Sequence, residues 1–233
     1  MNLVSLIDHA VLHPTATDDD LVRECLLAAK LGVASVCVKP YMVAQATALL
    51  SESNVAVGTV IGFPHGGNQT EIKAAEAKLA CEQGAVELDM VINIAKALEE
   101  DWDYIAADIQ GVLSVASHQN ALLKVIFETD YITSDTAIQT LCEICSRLGV
   151  GFVKTSTGFG YTKQPSGDYN YLGATLNHIK LMTKHSASHV AVKASGGIRT
   201  ASAAQAMVDA GASRLGTSAA QAIADGEQSS EGY

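Results

Sequence analysis

The chain has 233 residues, 48% of them hydrophobic and 17% charged, which is enough apolar material for one large core, and a single domain over 1–233 is expected. A net charge of -10 at pH 7 excludes the basic stripe that neutralises nucleic-acid phosphates, so no nucleic-acid partner is expected and any anionic ligand must be held by local donors. No apolar run approaches the ~18 residues that cross a bilayer, which excludes a membrane-spanning role.

In chain order, the opening segment Met1-Asn2-Leu3-Val4-Ser5-Leu6-Ile7-Asp8 lacks the cationic start and cleavage site of a secretory signal, and 3–8 reads as the first strand. Thr17-Asp18-Asp19-Asp20 opens a helix that runs to Lys30 and stops at Gly32, its acidic residues suited to the helix dipole. Strands are predicted at 34–38 and 55–61, and Asn68-Gln69-Thr70-Glu71 caps a helix over 72–83 closed by Gly84. Further strands fall at 85–91 and 122–127, and Ser134 caps a helix ending at Leu148-Gly149. The last strands are 151–155, 189–194 and 213–216, with Thr200 or Ser202 capping a helix that ends at Ala210-Gly211.

The strands are nearly continuous in apolar residues, as strands buried on both faces must be. Eight such strands alternating with helices, without a break in composition, favour an α/β fold of the closed (β/α)8 TIM-barrel type, with an open doubly wound sheet as the alternative. No Gly-x-Gly-x-x-Gly follows the first strand, which argues against a dinucleotide site. Residues 225–233 read as a mobile tail. Five cysteines, an odd number scattered among apolar residues, fit reduced thiols and a cytoplasmic protein.

Two lysines stand in near-matching frames, Phe152-Val153-Lys154-Thr155-Ser156-Thr157-Gly158 and Ala191-Val192-Lys193-Ala194-Ser195-Gly196-Gly197. Each ends an apolar strand, so in a barrel both emerge at the C-terminal mouth, where Asp89 of Val86-Glu87-Leu88-Asp89-Met90 also arrives. Desolvation and a neighbouring cation both disfavour an ammonium, so the pair predicts a nucleophilic amine with Asp89 in a proton relay. A lone lysine at a strand end commonly snorkels to solvent; two in matched frames beside a carboxylate point to chemistry. Lys124 is expected in a structural ion pair with Glu128 or Asp89.

Ser195-Gly196-Gly197-Ile198-Arg199 and Gly216-Thr217-Ser218 follow the seventh and eighth strands and lead into helices, the usual place for a phosphate in such barrels. Ordinary tight turns also need glycine, but two such loops together predict a phosphorylated substrate. Less weight falls on His9 and His13, whose i, i+4 spacing would need a helix that the β-prone context and the following Pro14 argue against, and on Cys142-x-x-Cys145, which lies mid-helix. His65 and Cys37 are placed near the mouth, each with a packing role as the plain alternative.

These residues resemble the 2-deoxyribose-5-phosphate aldolases, a class I, metal-independent family with a (β/α)8 barrel, over almost the whole chain. The resemblance rests on Ile7-Asp8-His9, Gly62-Phe63-Pro64-His65-Gly66, the 87–93 and 123–128 segments, Lys154-Thr155-Ser156-Thr157-Gly158 and Lys193-x-x-Gly196-Gly197-Ile198-Arg199-Thr200. It implies that Lys154 forms a Schiff base, that Lys193 perturbs it and that Asp89 belongs to the proton network. It implies phosphate and substrate binding by Thr157, Gly158, Gly196, Gly197, Ile198, Arg199, Gly216 and Ser218. Tyr233 resembles a C-terminal tyrosine proposed to aid proton transfer. No metal or cofactor is implied, the partners are small phosphosugars and aldehydes, and a homodimer is expected. Phe159 stands where some members carry lysine and Ala219 where many carry serine, departures that would loosen phosphate affinity. Lys39 before Pro40 has no assigned role. Rival readings are another Schiff-base aldolase or transaldolase, a phosphosugar isomerase, or a non-catalytic phosphosugar-binding barrel.

Overall fold

A computed structural model describes residues 2–163 and 166–226. In chain order these contain β1 (Ile7–Val11), α1 (Asp18–Leu31), β2 (Ser35–Val38), α2 (Val43–Leu49), β3 (Ala56–Ile61), α3 (Thr70–Glu82) and β4 (Glu87–Val91). Then come α4 (Ile94–Leu98), α5 (Trp102–His118), β5 (Leu122–Ile126), α6 (Asp135–Leu148) and β6 (Phe152–Lys154). A small antiparallel ribbon, β7 (Thr162–Lys163) with β8 (Tyr169–Asn170), precedes α7 (Leu176–His185), β9 (Ala191–Ser195), α8 (Ala201–Asp209), β10 (Arg214–Thr217) and α9 (Ala220–Asp225).

Among the described residues, eight parallel strands close into a barrel in the order β1-β10-β9-β6-β5-β4-β3-β2, so the expected (β/α)8 architecture is present and the open sheet is not. Closure leaves no free edge, and the helices cover the outer faces of strands whose residues are almost all buried.

The local signals act as read. Thr17 forms a reciprocal capping box with Asp20, and Gly32 ends α1 in the left-handed region at φ 68°. Ser134 caps α6 through the Ala137 amide, and Thr200, rather than Ser202, caps α8 through Ala203. Gln69 begins α3 without a side-chain cap, and the helix starts at Thr70. On α6 the buried residues Ala137, Ile138, Leu141, Cys142, Ile144 and Cys145 form one face, so the two cysteines are core packing and unpaired.

The first strand differs from expectation. Residues Val4–Leu6 form a single 3-10 turn and the strand starts at Ile7. Asn2 causes this: its Oδ1 accepts the Val4 amide at 3.1 Å while its carbonyl accepts the Ser5 hydroxyl at 2.8 Å, a local bonding set that competes with extension. The strand therefore runs to Val11, and Asp8 and His9 lie within it. At the other end α9 reaches Asp225 and Gly226 caps it at φ 73°. The rest of the predicted tail, and Tyr233, lie outside the described residues.

Candidate active site

Strand register decides which side chains meet. Lys154 of β6 pairs with Lys193 of β9, Asp89 of β4 with Lys124 of β5, and Arg214 of β10 with Lys193. Neighbouring strands are about 4.8 Å apart, so side chains turned inward at matched heights converge on the barrel axis.

Asp89 is fully buried and bonded by three lysine side chains: Lys154 Nζ at 2.7 Å, Lys193 Nζ at 2.7 Å and Lys124 Nζ at 2.9 Å. Asp8, on the first strand, receives Lys193 at 2.5 Å, Lys124 at 3.0 Å and Arg214 at 2.5 Å. Lys124 also pairs with Glu87 at 2.6 Å, and Arg214 reaches Glu87 at 3.0 Å. Of the two partners expected for Lys124, Asp89 is realised and Glu128 is not. Asp8, Glu87 and Arg214 are members that the sequence reading missed. Glu87 and Asp89 stand two apart on one strand and so share a face, a signal that was available.

Burial alone would push both central carboxyls up. Lys124, Lys193 and Arg214 outweigh it at Asp8, and Lys124, Lys154 and Lys193 at Asp89, so both lie well below the usual carboxylate range. The lysines diverge. At Lys154 desolvation dominates, Asp89 opposes it and Lys193 reinforces it, with a net lowering. At Lys193 desolvation is overcome by Asp8 and Asp89, with a net rise. The expected effect of the cationic neighbour is present, but burial leads and the neighbour ranks behind Asp89. The cluster of Lys124, Lys154, Lys193 and Arg214 against Asp8, Glu87 and Asp89 is electrically balanced when Lys154 is a free amine.

Above this cluster is a cavity reached by Lys154 and Lys193 and lined by Thr157, Gly158, Gly196 and Gly197, with Ile198, Arg199, Gly216 and Ser218 completing that side. All eight residues expected around the phosphate therefore face one space, whereas Asp89 lies beneath it. Gly196 and Gly197 have φ of 92° and 77°, which a side chain would strain, and a Cβ on Gly216 would lie 2.6 Å from Ser195 Oγ. Arg199 Nη2 bonds the Tyr171 hydroxyl at 3.1 Å.

Glu128 has a different role from the one considered. Its carboxylate accepts the Thr157 amide at 3.3 Å and bonds the Thr157 hydroxyl, and burial lifts its pKa to about 7. It holds the loop after β6. Lys39 donates to the carbonyls of His13, Pro14 and Ala16, bracing the loop after β1. Cys37 is buried at the cavity edge rather than exposed as a free thiol. His65 is exposed, and His9 bonds Glu24 at 2.8 Å while His13 bonds Thr15 at 2.7 Å, so the two histidines serve separate partners. Phe159 packs edge to face on Phe63, and the Ala219 amide donates to Thr217 Oγ1 at 2.9 Å.

A buried lysine whose pKa is lowered, beside one whose pKa is raised, at the mouth of a parallel barrel is an arrangement that suits amine chemistry of the aldolase kind. Residues 3–224 match the family model described as DeoC/LacD family aldolase. The deoxyribose-phosphate aldolase of Thermococcus gammatolerans is 45% identical over 233 residues, covering 99% of each chain. That of Lactococcus lactis is 43% identical and covers 100% of both. The solved tetrameric deoxyribose phosphate aldolase of Aeropyrum pernix superposes with a TM-score of 0.85 at 30% identity, over 96% of this chain and 89% of that one. The chain belongs to the DeoC/LacD aldolase family, and it is a carbon-carbon lyase.

Proposed function

We propose that the chain reversibly cleaves 2-deoxy-D-ribose 5-phosphate to acetaldehyde and D-glyceraldehyde 3-phosphate, with Lys154 as the nucleophile. The observation that carries this reading is the opposite behaviour of the two lysines over one carboxylate, Lys154 pushed down and Lys193 held up. In this reading Lys154 is the lysine that gives up its proton more readily and Lys193 the one that holds it.

Lys154 Nζ attacks the C1 aldehyde, and loss of water from the carbinolamine leaves a protonated imine. Two carbons leave as acetaldehyde, so the bond that breaks is C2-C3. Its electron pair moves toward the imine nitrogen to form an enamine, while the C3 hydroxyl gives up its proton and becomes the aldehyde of glyceraldehyde 3-phosphate. Protonation of the enamine at C2 and hydrolysis release acetaldehyde and restore Lys154. Asp89, which accepts from both Lys154 and Lys193, and Lys193 beside it are suited to carry these protons with solvent water. The glycine loops after β9 and β10, with Arg199 and Ser218, take the phosphate through donors, since the overall charge of -10 repels it.

Borohydride reduction in the presence of acetaldehyde should attach two carbons at Lys154, read by peptide mass mapping, and Lys154→Ala should abolish both adduct and turnover. An adduct on another lysine, or turnover in the variant, would move the nucleophile.

The same reading includes a homodimer and a cytoplasmic location. Ile72 and Leu79, exposed and seven residues apart on one face of α3, support the first, and five unpaired cysteines support the second. Among the described residues, no helix is long and apolar enough to cross a membrane.

A further inference from the structure

The connection from β6 to α7 is far longer than a barrel turn needs, since β6 ends at Lys154 and α7 begins at Leu176. Part of it folds into the β7-β8 ribbon, in which Thr162 Oγ1 donates to the Asn170 carbonyl at 3.0 Å and the exposed Tyr161 and Tyr169 rings stack 5.0 Å apart. Both ends of the ribbon are tied to the barrel mouth. In the loop after β5, the Tyr131 hydroxyl accepts the Tyr161 amide at 2.8 Å, and the Asp130 carboxylate accepts the Leu172 and Gly173 amides, the second at 3.1 Å. In the loop after β9, the Gly196 carbonyl accepts the Ala174 amide at 3.1 Å. Between these ties the Tyr171 hydroxyl accepts from Arg199 Nη2 at 3.1 Å. Arg199 lines the cavity over Lys154, and Tyr171 stands outside it.

We infer that Tyr171 is a positioning residue for the substrate phosphate, holding the Arg199 guanidinium toward the glycine loops from a ribbon that is itself fixed to both sides of the mouth. The inference rests on the proposed reaction, which puts the phosphate in those loops. Arg199 is exposed, and an exposed arginine spreads over many rotamers that ligand binding must restrict. A tyrosine has few rotamers of its own, so its hydroxyl on an anchored backbone is a rigid tether. The guanidinium offers several N-H groups in one plane, and one can serve the tether while others in that plane meet a phosphate. The other cations of the cavity are committed beneath it: Lys154 and Lys193 bond Asp89, and Lys193 also bonds Asp8. With a net charge of -10 opposing anions, the direction of Arg199 carries much of the preference for a phosphorylated sugar over the same sugar without phosphate.

The test compares kcat/KM for deoxyribose 5-phosphate and unphosphorylated deoxyribose in the parent, Tyr171→Phe, Arg199→Ala and the double variant. Tyr171→Phe should cut the preference for the phosphosugar about fivefold, through KM rather than kcat. Arg199→Ala should cut it further, and adding Tyr171→Phe to it should change nothing more, because the tether then has nothing to hold. An equal loss on both sugars in Tyr171→Phe would make the ribbon a structural support only and overturn the inference. A parental preference in Tyr171→Phe, or a full further loss in the double variant, would overturn it as well, and all three results leave the aldolase reading intact. Should the parent cleave neither sugar, that reading fails, and calorimetric binding of inorganic phosphate decides the inference by itself. Binding about fivefold weaker in Tyr171→Phe upholds it, and equal binding overturns it.

Discussion

Lys154 and Lys193 are the same residue type on adjacent strands, and their partners divide the labour between them. Lys193 lies between two carboxylates and keeps its proton, whereas Lys154 has one carboxylate, which it shares, and loses its proton more readily. Glu128 shows the same principle with the opposite sign. Its pKa of about 7 lies above the ordinary 4.5, so the native state binds its proton more tightly than the unfolded chain does. The stability it contributes is fully present below 4.5 and is lost as pH rises to about 7, by about 3 kcal/mol. Denaturant unfolding measured across this range should show the decline, and Glu128→Gln should flatten it. An unchanged slope in the variant would assign the decline to another group.

At the level of elements, strand register and loop glycines turn a residue pattern into a site. Gly216 lies where a Cβ would come within 3.1 Å of Lys193 Cε as well as close to Ser195 Oγ. Gly216→Ala should therefore raise KM for the phosphosugar and lower kcat together, by about tenfold each, since a small misplacement near a reacting group is costly. Steady-state kinetics check this; parental constants would mean that the loop yields freely. The eight strands, the acidic helix start at 17–20, the cap at Ser134 and the two lysine frames were legible because periodicity and capping act over a few residues. The start of β1 was not, because Asn2 redirects the backbone against an apolar run that reads equally well as a strand. Asp8, Glu87 and Arg214 were missed as partners because Asp8 and Arg214 are 206 residues apart, and only barrel closure brings them to 2.5 Å. Glu128 was legible as a candidate ion-pair partner, but its bond to Thr157 depends on how two loops meet.

For the whole molecule, the barrel encloses a cluster of charges whose members depend on one another. Removing one cation strands carboxylates that are almost wholly buried, so Lys124→Met should cost about 3–5 kcal/mol. Disrupting the exposed Lys78-Glu82 pair, 3.8 Å apart, should change little. Calorimetric melting separates the two cases, and a mild effect at Lys124 would mean that water reaches the cluster. The same enclosure lowers the pKa of Lys154, which the proposed covalent chemistry requires, and this is tested most directly by NMR titration of the Lys154 side chain, alone and in Lys193→Leu. The parent should release its proton below the free-lysine value of 10.5, and the variant at a higher pH than the parent. Titration of Lys154 at or above 10.5 in the parent would contradict the account.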